Sequence, residues 1–227
     1  MPDKNGDINT TCITGTVAKA ADRYAMDVMG LKSLALMETA SSKIAEYVMK
    51  HFPLSHKISV LCGVGNNGAD GVCASRILLG EGYQPHVYIV GSLEKASWEF
   101  LYQLCHFQQA GGAVTMYRPD TLLDDDILID SIFGIGLHRE IAGDYRLFIE
   151  EANRHSHGFV LAIDAPSGIN TDTGALMGCG IKADVTITFG RNKTGLVRGA
   201  GRELAGRVLV EDIGIPDEAY IAAETQM

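Results

Sequence analysis

The sequence predicts an α/β fold: a Rossmann-like three-layer α/β/α sandwich around a mostly parallel central sheet. Two observations carry this. Short, continuously apolar runs such as Val60-Leu61-Cys62, Ile127-Leu128-Ile129 and Phe159-Val160-Leu161-Ala162-Ile163 recur along the chain. Runs of that kind suit parallel strands buried on both faces. They also alternate with stretches of helical period, as in doubly wound sheets. The length of 227 residues suits one such domain, and with no internal repeat or Pro- or Ser-rich linker the range 1–227 is read as a single unit.

The elements follow in order. Residues 1–13, rich in Asp, Asn, Gly and Thr, read as a loose tail. Thr14 or Thr16 then caps a helix carrying Val17, Ala20, Ala21, Tyr24 and Val28 at helical spacing. Gly30 interrupts it, and a second helix over 33–50 presents Leu36, Met37, Ala40, Ile44 and Val48 until Pro53 closes it. A strand at 58–62, a helix at 71–81 and a strand at 86–90 come next. A long helix over 95–110 follows, in which Trp98, Phe100, Leu101, Leu104 and Phe107 read as packing residues. Strands at 113–117 and 127–132, a helix at 145–155, and strands at 159–164, 185–189 and 208–213 complete the pattern. Beyond about Ala175 the helical period is lost, so a less regular or partly antiparallel far edge is expected.

Composition narrows the function. Nineteen Lys and Arg against 28 Asp and Glu give a net charge of −9 and a pI near 5.2, which argues against a nonspecific nucleic-acid or anionic-membrane partner. No apolar run reaches the ~20 residues of a membrane span, and the first residues lack the apolar core of a signal peptide. The scattered cysteines, Cys12, Cys62, Cys73, Cys105 and Cys179, form no CxxC pair. They read as reduced thiols in a cytoplasmic protein.

Open α/β sheets bind ligands beyond the carboxyl ends of their strands, and three strand ends stand out here. Gly63-Val64-Gly65-Asn66-Asn67-Gly68-Ala69-Asp70-Gly71 is a glycine-rich strand-to-helix turn. Its glycines permit close backbone approach, and the helix start favours an anion. It is neither a phosphate-binding Walker loop nor a usual dinucleotide fingerprint, and a tight turn capped by Asp70 is the plainer alternative. Asp130 and Asp164 end two apolar strands. With Asn67 and Ser167 they form an oxygen-rich set suited to a hard cation, provided their strands are neighbours, although either aspartate could simply cap a turn. His138-Arg139 could meet a phosphate. Asp124-Asp125-Asp126 reads as an exposed turn, and His155 and His157 as a solvated helix end. Cys62 and Cys73 read as structural, and Lys193 as a contact to ligand or solvent.

These runs, in order over about residues 15–217, resemble the NAD(P)H-hydrate epimerases of the YjeF N-terminal domain family. The glycine turn is similar to that family's GxGNNGGDG, Asp130-Ser131-Ile132-Phe133-Gly134-Ile135-Gly136-Leu137 to its second block, and Asp164-Ala165-Pro166-Ser167-Gly168 to its D-x-P-S-G segment. Lys182-Ala183-Asp184-Val185-Thr186, Asp212-Ile213-Gly214-Ile215-Pro216 and the helices around Asp22-Arg23 and Met37-Glu38 follow the same pattern.

The resemblance implies an isomerase that interconverts the R and S forms of hydrated NADH and NADPH (NADHX and NADPHX) in coenzyme repair. It implies dinucleotide contacts from Asn66, Asn67, Gly68, Ala69 and Asp70, and from Gly134, Ile135, Gly136, Leu137, His138, Arg139 and Glu140. Asp164 would contact the hydrated nicotinamide, where a proton donor and acceptor is needed, and is the candidate catalytic group. A potassium ion would be held by Asn67, Asp130 and Ser167. Ala69 replaces a glycine of the pattern, Ile135 a threonine and Thr39 an asparagine. No dehydratase domain follows, so a separate NAD(P)H-hydrate dehydratase is the expected functional partner. The oligomeric state is not set by the sequence, and a homodimer is compatible with it. The competing reading is an inactive nucleotide-binding or scaffold module of the same fold, as in messenger-RNA decapping scaffolds. An ordinary coenzyme-dependent oxidoreductase has less support, since no acidic residue follows a GxGxxG at the expected distance.

Overall fold

The computed structural model describes residues 12–119, 121, 123, 125–155 and 158–225. Its strands are β1 (Ile58–Cys62), β2 (Pro85–Ile89), β3 (Ala113–Met116), β4 (Ile127–Ser131), β5 (Phe159–Ile163), β6 (Val185–Phe189) and β7 (Arg207–Glu211). All belong to one seven-stranded sheet of order β3-β2-β1-β4-β5-β6-β7, and every pairing is parallel. The expected partly antiparallel edge is therefore replaced by a parallel β7. The short α6 (Gly199–Leu204) links β6 to it, and α7 (Asp217–Thr225) follows. The helical period was hard to see there because α6 spans fewer than two turns and contains glycines.

The burial pattern explains the continuous apolar runs. β1 and β4 are buried along their whole length. Val60 and Cys62 point to the face covered by α2 (Ser33–His51), α3 (Asn66–Gly80) and α4 (Trp98–Gln109), while Leu61 and Leu128 point to α5 (Gly143–Arg154) on the other. α1 (Gly15–Asp27) packs on α7 through Val17, Ala21 and Ala25 against Ala219, Tyr220 and Ala223. Thr14 caps α1, its hydroxyl accepting from the Val17 N–H at 3.1 Å.

Several expectations change. Ile13 was read with the tail, but it is 4% exposed and pairs with Lys193, its N–H donating to the Asn192 carbonyl at 2.9 Å. Residues 1–11, Asp124 and His157 lie outside the described residues. The expected helix over 95–110 is a 3-10 turn at Leu93–Lys95 followed by α4, which starts after the Ser97 cap. On it Phe100, Leu104 and Phe107 are buried, whereas Trp98 and Leu101 are exposed.

α3 begins at Asn66, five residues before the expected start, with Gly65 as its cap. Asp70 thus lies in the second turn and caps nothing. Glycine at 68 and 71 makes this close docking feasible, for a Cβ on Gly68 would overlap the Gly63 carbonyl and one on Gly71 the Ser131 hydroxyl. Alanine is the better helix former by about 1 kcal/mol, so the sign of Gly68→Ala tests the packing. It is expected to lower stability by about 1–3 kcal/mol in urea denaturation, because backbone, not a flexible side chain, is in the way.

Candidate functional site

The order reverses between β1 and β4, which are neighbours although β2 and β3 intervene in sequence. This switch point leaves a crevice beyond the two strand ends, where Cys62 pairs with Ser131. A cavity of about 630 Å³ opens there. The β1–α3 turn, the 132–136 loop, α1, α2, Asp164, Lys193 and Tyr220 line it.

Asp164 follows β5 with a φ of +66°, among the described residues the single non-glycine in the left-handed region. Such backbone is uncommon and concentrates at functional sites. The residue is 8% exposed. Its Oδ1 lies 2.8 Å from Lys193 Nζ and accepts from the Thr188 hydroxyl at 3.1 Å. Its Oδ2 accepts only a long bond from the Ile135 N–H, at 3.3 Å. Lys193, undecided from sequence, is 2% exposed and also donates to Thr188 Oγ1 and the Phe189 carbonyl, each at 2.8 Å. The bridge to Ile13 holds its loop in place.

Asn67 sits in the first turn of α3. A Cβ at Gly134 would lie 2.9 Å from both Asn67 Oδ1 and Asp164 Oδ2, so these oxygens face each other across the missing side chain. Among the described residues Asn67 Nδ2 is buried without a hydrogen-bond partner.

Asp130 and Ser167 are brought together: Ser167 Oγ donates to Asp130 Oδ1 at 2.5 Å and the Ser167 N–H to Oδ2 at 2.7 Å. The Ile132 N–H donates to Oδ1 at 3.3 Å, and Ser167 Oγ accepts from the Phe133 N–H at 3.0 Å. Burial pushes the Asp130 carboxyl up to about 6, although those bonds pull the other way. Among the described residues no cationic side chain offsets it. A buried carboxylate beside a hydroxyl, with the Asn67 amide on the adjoining cavity wall, is a donor set that fits a hard monovalent cation.

The cavity holds more carboxyls than the sequence singled out. Burial, then repulsion from Asp164 and Asp22, raises Asp70 well above the usual carboxylate range. Asp22 on α1 is pushed up to about 6 by burial and by Asp164, against the pull of Lys193. Lys19 and Arg23 on the same helix are exposed at the mouth. The sequence did carry a signal for this group: Lys19, Asp22, Arg23 and Met26 recur at helical spacing on the side of α1 opposite its small apolar residues.

Not every expected contact lines the cavity. Asn66, Asn67, Asp70, Gly134, Ile135 and Gly136 do. Gly68 and Ala69 face the protein: Ala69 is fully buried in the α3 core, so its methyl group does not meet a ligand as the sequence suggested. Leu137 is buried in the α5-side core, and this turns the chain so that His138, Arg139 and Glu140 stand exposed outside the cavity lining. Thr39 is exposed, its hydroxyl donating to the Ala35 carbonyl. Burial pushes the Cys62 and Cys73 thiols up to about 12, so they are poor nucleophiles.

The profile of the family described as YjeF-related protein N-terminus matches residues 33–195. A Limosilactobacillus fermentum protein named NAD(P)H-hydrate epimerase is 43% identical over 202 residues, 88% of this chain and 95% of its own. One of the same name from Leuconostoc gelidum subsp. gasicomitatum is 35% identical over 216 residues, 93% and 95% of the two chains. The crystal structure of the yeast protein ynu0 superposes with a TM-score of 0.75 at 20% identity, covering 89% of this chain and 88% of that one, a likeness of fold.

Proposed function

The chain belongs to the family of YjeF-related N-terminal proteins, and from that premise we propose that it is an isomerase, an NAD(P)H-hydrate epimerase acting in nicotinamide coenzyme repair. The observation that carries the reading is the convergence of Asn67, Gly134 and Asp164 at the switch-point cavity. The absent side chain at Gly134 leaves room for the flat edge of a ring between an amide and a carboxylate. The hydrated ring carries a hydroxyl on C6, beside the ring nitrogen, and inverting that carbon requires a proton donor and acceptor close to it. Asp164 Oδ2 supplies one.

In this reading the pyrophosphate lies against the start of α3 at Asn66, where free N–H groups favour an anion, with Lys19 and Arg23 at the mouth adding positive charge. The adenosine end runs out over the 136–140 loop, placing His138, Arg139 and Glu140 beside the distal part of the substrate. Asn67, Asp130 and Ser167 would hold a potassium ion, which would offset the buried Asp130 charge. The five free thiols suit a reducing, cytoplasmic setting, and the S epimer would pass to an NAD(P)H-hydrate dehydratase.

The test is an assay on the purified R hydrate, resolved by chiral chromatography. The protein is expected to equilibrate R and S far faster than the spontaneous reaction, and faster in potassium than in lithium or sodium buffer at equal ionic strength. An unchanged spontaneous rate would refute the epimerase reading. Equal rates in all three salts would remove the potassium ion from it.

A further inference from the structure

We infer that the cavity inverts C6 by expelling and re-adding water rather than by opening the ring, with Asp70 and Asp164 as the two proton-handling carboxyls. The inference rests on the epimerase reading and deepens it. Its basis is the charge lining the cavity. Asp22 from α1, Asp70 from α3 and Asp164 from the end of β5 all reach it. Among the described residues the buried ammonium beside them is that of Lys193, and its N–H groups are already directed at Asp164 Oδ1, Thr188 and Phe189.

The two routes place opposite charges on the ring. Departure of water leaves a cation shared between N1 and C6. Opening by deprotonation of the hydroxyl drives negative charge from the oxygen toward the departing nitrogen. Once Asp70 has passed its proton to the leaving oxygen, its carboxylate and Asp164 Oδ2 stand beside the ring, where they stabilise the first charge and oppose the second. Lys193 stays engaged with Asp164 Oδ1, and Lys19 and Arg23 stand at the mouth.

Departure of water also needs an acid, and Asp70 fits that role. Among the described residues no hydrogen bond occupies its carboxyl, and its desolvated position near Asp164 and Asp22 favours the neutral form. Asp164 has the complementary arrangement. Its Oδ1 is held by Lys193 and Thr188, and Oδ2 is left facing the cavity opposite Asn67.

The step balances as follows. Asp70 gives its proton to the C6 hydroxyl, the C6–O bond breaks, and the bonding pair leaves with water. The N1 lone pair becomes the N1=C6 π bond. Water then adds to the opposite face, the π pair returns to N1, and the surplus proton passes to Asp164 Oδ2. The proton has moved from Asp70 to Asp164, which is the state required for the reverse inversion, so the pair serves both directions of an epimerase. Solvent in the open cavity returns the enzyme to its starting form.

The experiment follows the R hydrate in ¹⁸O-water, with mass spectrometry of the separated S product and subtraction of the protein-free rate. Each S molecule formed at early times is expected to carry one solvent oxygen. Asp70→Asn is expected to lower turnover by about 10²-fold or more with KM changed little. Its fold should persist, because the substitution removes a carboxyl that burial disfavours. S product that retains the original oxygen would overturn the water-loss route, and parental turnover in Asp70→Asn would overturn the role of Asp70. If the parent protein forms no S product above background, the epimerase reading itself fails. That outcome differs from oxygen retention because there is no product to weigh.

Discussion

Asp164→Asn is expected to lower turnover by about 10²–10⁴-fold, the range of a lost acid–base group, with kcat and kcat/KM falling together. The substitution isolates the chemistry from the backbone. Position 164 sits at φ +66°, where asparagine is among the best tolerated residues with a side chain. The amide oxygen can still accept from Lys193 and Thr188, and the N–H of residue 164 still donates to the Ile187 carbonyl at 2.7 Å. What is lost is an Oδ2 able to take and return a proton. If Asp164 serves only to shape the turn before Ser167, asparagine fills that place and turnover stays near the parent's. Steady-state kinetics at saturating substrate, with a circular dichroism check of fold, separates the two.

Lys193→Met is expected to cost about 3–5 kcal/mol of stability, the loss typical of breaking a buried ion pair from one side. Lys193 and Asp164 side chains are 3% and 11% exposed, so water screens the orphaned carboxylate poorly. The groups facing it from other elements are Asp22 on α1 and Asp70 on α3, which repel it, with the Thr188 hydroxyl on β6 and the Ile135 N–H as its remaining polar partners. Urea denaturation at pH 7 measures the loss. The double variant Lys193→Met/Asp164→Asn should regain most of the lost stability at pH 7. If Lys193 matters only for its aliphatic stem, methionine replaces it with little change and the double variant is no better.

The central strands were legible because burial on both faces writes a continuous apolar run. β1 and β6 fall at their expected bounds, and β4 and β5 within a residue. The β1–α3 turn was legible as a site but misplaced by one and a half helical turns. Its asparagines and glycines read as loop residues, and only the contact of Gly68 and Gly71 with the strands shows why a helix carries them. Asp130 with Ser167 was readable because each ends a strand or follows one, and the strands proved to be neighbours. Lys193 was not, since its role depends on a loop pinned by Ile13, 180 positions away in sequence. Asp22 lay in plain view on an amphipathic helix, but nothing local shows that α1 leans over the strand ends. The place of the 137–140 segment was not legible for the opposite reason: it continues a glycine-rich strand end, yet Leu137 is drawn into the core and carries its polar neighbours outside the cavity lining.

The most direct test of the account is a crystal structure of Asp164→Asn soaked with purified NADPHX. The hydrated ring is expected beside Gly134, with the C6 hydroxyl within about 2.6–3.2 Å of the residue 164 side chain or of Asp70, the reach of a proton transfer. A ring bound away from this cavity, for instance on the exposed 138–140 loop, would contradict it.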